Sequence, residues 1–179
     1  MASTTKQRLN AEDWLRIGLQ ALARSGPSAL RAEALARDLG TTKGSFYWHF
    51  RDLPDYLERL IRFWEDRAFE GVIARLDGDL PPRGRLEQLC LLAIGLRDPD
   101  YGGAALEPAL RAWALSDKGV AEAVARMDAR RIAYLKDLCH AAGLDTSTTP
   151  TMLYALYVGL ETLDHDDAEG VMRAALLRV

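Results

Sequence analysis

Between Thr42 and His49 lie the residues best able to do chemistry, and the chemistry they suit is contact with a polyanion. Thr42, Ser45, Tyr47 and His49 carry hydroxyl or imidazole groups, Lys43 a cation, and Trp48 an indole N–H on a flat ring. At helical spacing Phe46 and Phe50 fall four apart and face inward, which leaves Lys43, Ser45, Tyr47, Trp48 and His49 on the other sides. On such a rod Lys43 would meet a phosphate by charge, and Tyr47 and His49 by hydrogen bonds. Thr42, Ser45 and Trp48 would be directed at base edges. Gly44 costs about 1 kcal/mol against Ala inside a helix; the missing side chain would let the backbone come close to a groove. Trp48 has a plainer reading as a buried aromatic.

Elsewhere reactive side chains do not converge. His140 adjoins Cys139, and His165 lies within Asp164-His165-Asp166-Asp167, which invites a metal reading. Adjacent helical residues point in different directions, and no Glu-x-x-His pair of the di-iron type occurs. We therefore expect no metal, no cofactor and no catalytic residue; the protein is not expected to be an enzyme.

Helices must position the Thr42–His49 stretch. Asn10 caps a first helix bearing Trp14, Leu15, Ile17, Gly18, Ala21 and Leu22, which stops near Gly26-Pro27. A second begins near Ser28, with Leu30, Leu35 and Leu39 inward, and ends at Gly40 in a tight turn. Thr42 caps the third. Asp52 caps a long fourth helix reaching about Leu76, with Leu53, Leu57, Leu60, Ile61, Trp64 and Ala68 on one face. Asp77-Gly78-Asp79-Leu80-Pro81-Pro82 breaks the chain. Five more helical segments follow: Arg85 to Leu96, Ala104 to Leu115, Asp117 to about Ala142, Pro150 to Leu163, and Asp166 to the end. No alternating β pattern appears, so the fold class is all-α.

The run Leu35 to Phe50 resembles the DNA-binding signature of the tetracycline-repressor (TetR) family of transcriptional regulators. There a helix-turn-helix ends in an aromatic, Tyr, any residue, His or Tyr, then Phe; here the tail reads Phe46-Tyr47-Trp48-His49-Phe50. Two positions depart from that pattern: Thr41 stands where an aliphatic residue is usual, and Leu53 where a phosphate-binding lysine is frequent, with Arg51 available as its substitute. The resemblance implies a nine-helix fold with a helix-turn-helix DNA-binding domain over 1–51 and a helical effector-binding and dimerisation domain over 52–179. It implies a repressor that binds a palindromic operator in double-stranded DNA as a homodimer and is controlled by a small-molecule effector. The body side chains Trp64, Cys90, Leu91, Ile94, Trp113, Met127, Arg130, Tyr134 and Tyr154 are the effector-binding candidates, Arg130 and Tyr134 as a pair for an anionic or hydroxylated ligand; filling the core, or for that pair a solvated helix face, is the plainer reading of each. Met152, Ala155, Leu156, Gly159, Leu160 and Leu163, with Val171, Ala174, Ala175 and Leu177, offer more apolar surface than one intrachain face needs and are the dimer candidates.

Bulk properties fit. The 179 residues carry a net charge of -3, yet its distribution is uneven. Through Phe50 there are seven Lys or Arg against four Asp or Glu, a net +3; from Arg51 onward sixteen stand against twenty-two, a net -6. Only the head would be drawn to a polyanion. Residues Met1 to Leu9 are polar, with Lys6 and Arg8 as cations. Cys90 and Cys139 lie far apart in apolar patterns, and neither a signal peptide nor a membrane span is evident, so a reduced, cytoplasmic protein is expected. The competing readings are a helical ligand-binding protein that does not touch DNA, and a helical enzyme or metal-binding bundle.

Overall fold

A computed structural model describes residues 9–96, 98–163 and 166–179. Lys6, Arg8, Asp164 and His165, singled out above, lie outside the described residues. Among the described residues the chain forms nine α-helices and no strand: α1 Ala11–Ser25, α2 Ala32–Asp38, α3 Lys43–His49, α4 Leu53–Ile73, α5 Pro82–Gly95, α6 Leu106–Ala114, α7 Lys118–Ala141, α8 Thr149–Leu163 and α9 Ala168–Leu176.

Short polar side chains set the starts. Asn10 and Asp13 close a reciprocal capping box on α1, each side chain accepting from the other's backbone N–H at 3.1 and 2.9 Å. Thr42 Oγ1 accepts from Ser45 N at 3.4 Å, Asp52 Oδ1 from Asp55 N at 2.9 Å and Asp117 Oδ1 from Val120 N at 3.1 Å. Asp145 accepts from the backbone and hydroxyls of Ser147 and Thr148 just before α8, and these bonds hold its carboxyl well below the usual carboxylate range.

Several boundaries differ from the sequence expectation. The second helix starts at Ala32, not near Ser28, because Pro27–Ala29 makes a single 3₁₀ turn and Arg31 is extended at φ -124°. The fourth ends at Ile73, three residues before Leu76, in a run of turns. The fifth starts three residues early at Pro82, where a proline in the first turn lacks only an N–H that would go unbonded. Pro99–Tyr101 and Gly103–Ala105 form single 3₁₀ turns rather than a plain break, and Asp167 rather than Asp166 caps α9.

Buried side chains fall into two clusters. The first joins Trp14, Leu22, Leu35, Phe46 and Phe50 of the first three helices and their ends to Tyr56, Leu60 and Trp64 of α4, Leu110 and Trp113 of α6, and Val120, Ala123 and Met127 in the first half of α7. Apolar packing thus runs on past residue 51, and α1 lies directly against α4 and α6. The second cluster joins Leu86 and Cys90 of α5, Leu138 and Cys139 late in α7, Leu153 and Leu160 of α8, and Met172 of α9. Where α1 meets α4 the backbone of Gly18 faces Tyr56, whose hydroxyl donates to the carbonyl oxygen of Trp14 at 3.0 Å.

Candidate nucleic-acid interface and body cavity

The turn between α2 and α3 is made by Gly40 at φ +61°, a left-handed conformation that glycine adopts without strain. Thr41 N then donates back to Ala36 O at 2.8 Å and closes the end of α2. Phe46 anchors α3: fully buried, its ring lies 5.4 Å from Trp14, 5.1 Å from Phe50 and 5.1 Å from Tyr56. With that face pinned, the remaining side chains of α3 point outward. Thr42, Lys43, Gly44, Tyr47 and Trp48 are exposed; Ser45 and His49 are half-buried. Trp48 is 88% exposed, which disposes of its reading as a buried aromatic and leaves an indole standing free on the surface. A Cβ on Gly44 would meet nothing closer than Thr42 Oγ1 at 3.6 Å, so packing within the chain does not require glycine there.

Lys43 Nζ sits 2.5 Å from Glu33 Oε1 and 5.9 Å from the centre of the Tyr47 ring. The hydrogen bond to Glu33 raises the lysine pKa and lowers that of the glutamate. Both groups are open to water, and the pair is worth little. Arg59 of α4 donates to the His49 carbonyl at 3.2 Å and lies 5.5 Å from the centre of the Phe50 ring, tying the end of α3 to the long helix. Arg51 is also exposed at the α3–α4 junction, 3.1 Å from Asp52.

A cavity of about 200 Å³ lies in the body, walled mainly by α4 to α8. Trp64, Tyr134 and Tyr154 of the effector candidates line it, as does Cys90. Burial pushes the Cys90 thiol up to about 12, with Cys139 and Glu87 adding to it. The other five candidates are not in the wall. Trp113 and Met127 are consumed by the first core cluster, Ile94 by the second, and Leu91 packs half-buried against the latter. Arg130 turns outward to pair with Glu70, its guanidinium 3.8 Å from the centre of the Phe69 ring.

Arg67, Arg75 and Arg131 do reach the wall, and the deep one is Arg131, the next residue along. It donates to Glu107 Oε1 at 2.8 Å and Oε2 at 3.2 Å, and to the Ala68 carbonyl at 3.2 Å. The indole of Trp64 donates to Glu107 Oε1 at 3.2 Å, so this one ion pair links α4, α6 and α7. Burial opposes the Arg131 charge, yet Glu107 more than offsets it and holds the guanidinium above its ordinary pKa. Beside it Arg111 grips Asp128 at 2.7 and 3.0 Å, and the Tyr154 hydroxyl donates to Asp128 at 2.6 Å. Burial raises the Asp128 pKa, but the bonds from Arg111 and Tyr154 outweigh it and keep the carboxylate ionised. Sequence reading missed Arg131 and Glu107. Arg131 shares a helix face with Met127, Tyr134 and Leu138, and a lone charge on such a stripe was the available signal.

Of the dimer candidates, Leu160 is consumed by the second core cluster, and the others are at least partly accessible. Met152 and Ala155 are exposed, Leu163 is 72% exposed, Leu156 and Gly159 are half-buried, and nothing comes within 4 Å of a Cβ built on Gly159. On α9 Val171 and Ala175 are half-buried. No group of metal-binding side chains exists among the described residues, and no helix there is long and apolar enough to cross a membrane.

The family model described as bacterial regulatory proteins, tetR family, matches residues 15–52, which hold the helix-turn-helix and most of α1. No curated protein matches the chain. Among solved structures, a Rhodococcus sp. protein assigned to the TetR family is 23% identical, with a TM-score of 0.74 over 94% of this chain and 97% of that one. A transcriptional regulator from Saccharomonospora viridis, solved in complex with choline, is 20% identical with a TM-score of 0.71, covering 94% and 93% of the two chains. The fatty acid degradation regulator FadR from Bacillus halodurans is 16% identical with a TM-score of 0.67, covering 94% and 96%. Residues 15–52 therefore match the tetR-family model, and the whole chain shares the fold of these solved structures.

Proposed function

We propose, from the tetR-family helix-turn-helix that residues 15–52 carry, that this protein is a DNA-binding transcriptional regulator, a repressor acting as a homodimer on a palindromic operator and responsive to a small molecule. One observation carries the reading: α3 exposes a cation, hydroxyls and a bare indole on one side while Phe46 locks its other side into the core. Lys43, Tyr47 and His49 serve the phosphates; Thr42, Ser45 and Trp48 reach base edges; Gly44 keeps the start of the helix slim against the groove wall. The stripe of Met152, Ala155, Leu156, Gly159 and Leu163 on α8, with Val171 and Ala175 of α9, is the surface that pairs two copies.

Two recognition helices must sit about 34–36 Å apart to enter successive major grooves. A ligand preferring a body shape with another spacing lowers operator affinity by its difference in affinity for the two shapes. The cavity is the place for that ligand, as supported by a neighbouring fold solved with choline, and α4 is the lever because it runs from the α3 junction to the cavity wall. Residues 1–51 act as the DNA-reading domain and 52–179 as the regulatory one. Selection from a random double-stranded DNA pool tests this. Enrichment of a palindrome is expected, and failure to enrich one transfers the weight to a helical ligand-binding protein that does not touch DNA.

A further inference from the structure

The ligand class follows from what the cavity wall has already spent, and it rests on reading that cavity as an effector site. Arg131, the guanidinium deep in the wall, uses both terminal nitrogens on Glu107, Ala68 O and the Tyr154 hydroxyl, the last at 3.5 Å. A carboxylate or phosphate entering as far as Arg131 would have to break its Glu107 pair, which is only 13% and 14% exposed on its two sides. Arg67, also at the wall, is committed to Glu12 at 2.7 Å.

The aromatic side of the wall is richer: Trp64, Phe69, Tyr101, Tyr134, Tyr154 and Tyr157 all line the space. Three of these rings already hold the chain's own guanidinium groups, Arg67 at 4.4 Å from Tyr101, Arg130 at 3.8 Å from Phe69 and Arg131 at 5.7 Å from Tyr157. Each of those arginines has its own carboxylate partner, Glu12, Glu70 or Glu107. These rings therefore work as cation acceptors in this fold, and the charges drawn to them are locally neutralised. Phe69 and Tyr134 meet edge to face at 80° with centres 5.8 Å apart, while Tyr154 and Tyr157 stand 5.9 Å apart at 32°. With the deep guanidinium committed, Arg75 exposed at the edge, and the carboxylates Asp98, Glu107 and Glu161 also in the wall, this box of ring faces binds a weakly hydrated organic cation better than an anion.

We infer that the body cavity takes a compact organic monocation, an alkylammonium or arylalkylammonium, held by cation–π contact with Tyr134 and its neighbouring rings. The cavity, about 200 Å³, has room for a cation of that size.

Isothermal calorimetry on the full chain tests this with three probes of one shape: choline, uncharged 3,3-dimethylbutan-1-ol and anionic 3,3-dimethylbutanoate, with benzyltrimethylammonium as a larger cation. At least one cation should bind, with choline or the larger cation ~10-fold or more tighter than the alcohol, and the carboxylate weakest. Tyr134→Leu should weaken the cation by at least about threefold, whereas Tyr134→Phe, which keeps the ring, should not. Binding of the alcohol or carboxylate as tight as that of the cations, binding of neither cation, or indifference to Tyr134→Leu overturns the inference. The same preparation is assayed for DNA without any probe. DNA binding without cation binding overturns only the ligand class; cation binding without DNA binding overturns the regulator reading and leaves the ligand class standing.

Discussion

The hydroxyl of Tyr56 fills the space in which a side chain at residue 18 would begin: a Cβ built on Gly18 would lie 1.9 Å from it. The glycine is what lets α1 and α4 close on each other, and the phenol then bonds the Trp14 carbonyl from the far side of that contact. Two helices that carry the recognition element are thus joined by a contact with no slack.

Gly18→Ala is expected to destabilise the fold by about 1–3 kcal/mol, as overpacking does. Tyr56→Phe removes the clashing oxygen, so the double variant should lose less than the sum of the single losses, measured by urea denaturation. Additive losses would show that the two residues do not meet as described.

Glu107→Gln leaves the Arg131 charge without its partner in a mostly buried position. The expected loss is about 3 kcal/mol, while Glu107→Met with Arg131→Met, which removes both charges, should come back close to wild type. Trp64 fluorescence should report the single change, because its indole N–H bonds Glu107 directly.

Alkaline pH should cost stability in a defined window. Burial lifts the Cys90 thiol from 9.0 to about 12, so the unfolded thiol ionises first and the folded form is the one that keeps its proton. Stability from this group is therefore intact below pH about 9 and drains away as pH rises towards 12. Cys90→Val should flatten the start of that decline in pH-dependent denaturation; an unchanged slope would place the loss elsewhere, including on the buried phenol of Tyr56, which burial also raises.

On α3, Lys43→Ala and Trp48→Ala should leave thermal stability unchanged, since both side chains are exposed. For Lys43→Ala, affinity for all DNA sequences should fall and the slope of log affinity against log salt should lessen by about 2 for a dimer. With Trp48→Ala, the loss should concentrate on the selected palindrome, and an equal loss on random DNA would move Trp48 from base edges to the backbone.

A Cβ at residue 159 meets nothing within 4 Å, so Gly159→Arg should not unfold the protomer. It should block a partner helix from approaching, shift sedimentation to the monomer and abolish tight binding to a palindrome while leaving half-site binding weak. A dimer that persists would place the pairing surface elsewhere.

Local rules made the recognition element legible in one dimension. Asn10, Thr42, Asp52 and Asp117 cap helices because a short side chain reaches an N–H three residues on, and Phe46 and Phe50 turn inward because four residues make about one turn. Those interactions span a few residues, so spacing alone determined them, and with them the all-helical class and the outward set from Thr42 to His49. The body cavity depended on interactions of another range. Which of Arg130 and Arg131 faces inward, and whether Trp113 and Met127 line a space or fill it, is set by how α4, α6 and α7 rotate against one another. Glu107 and Arg131 find each other across 24 positions of chain, and Trp64 joins them across 43. No helical period encodes a meeting of that length; only the packing of the helices decides it.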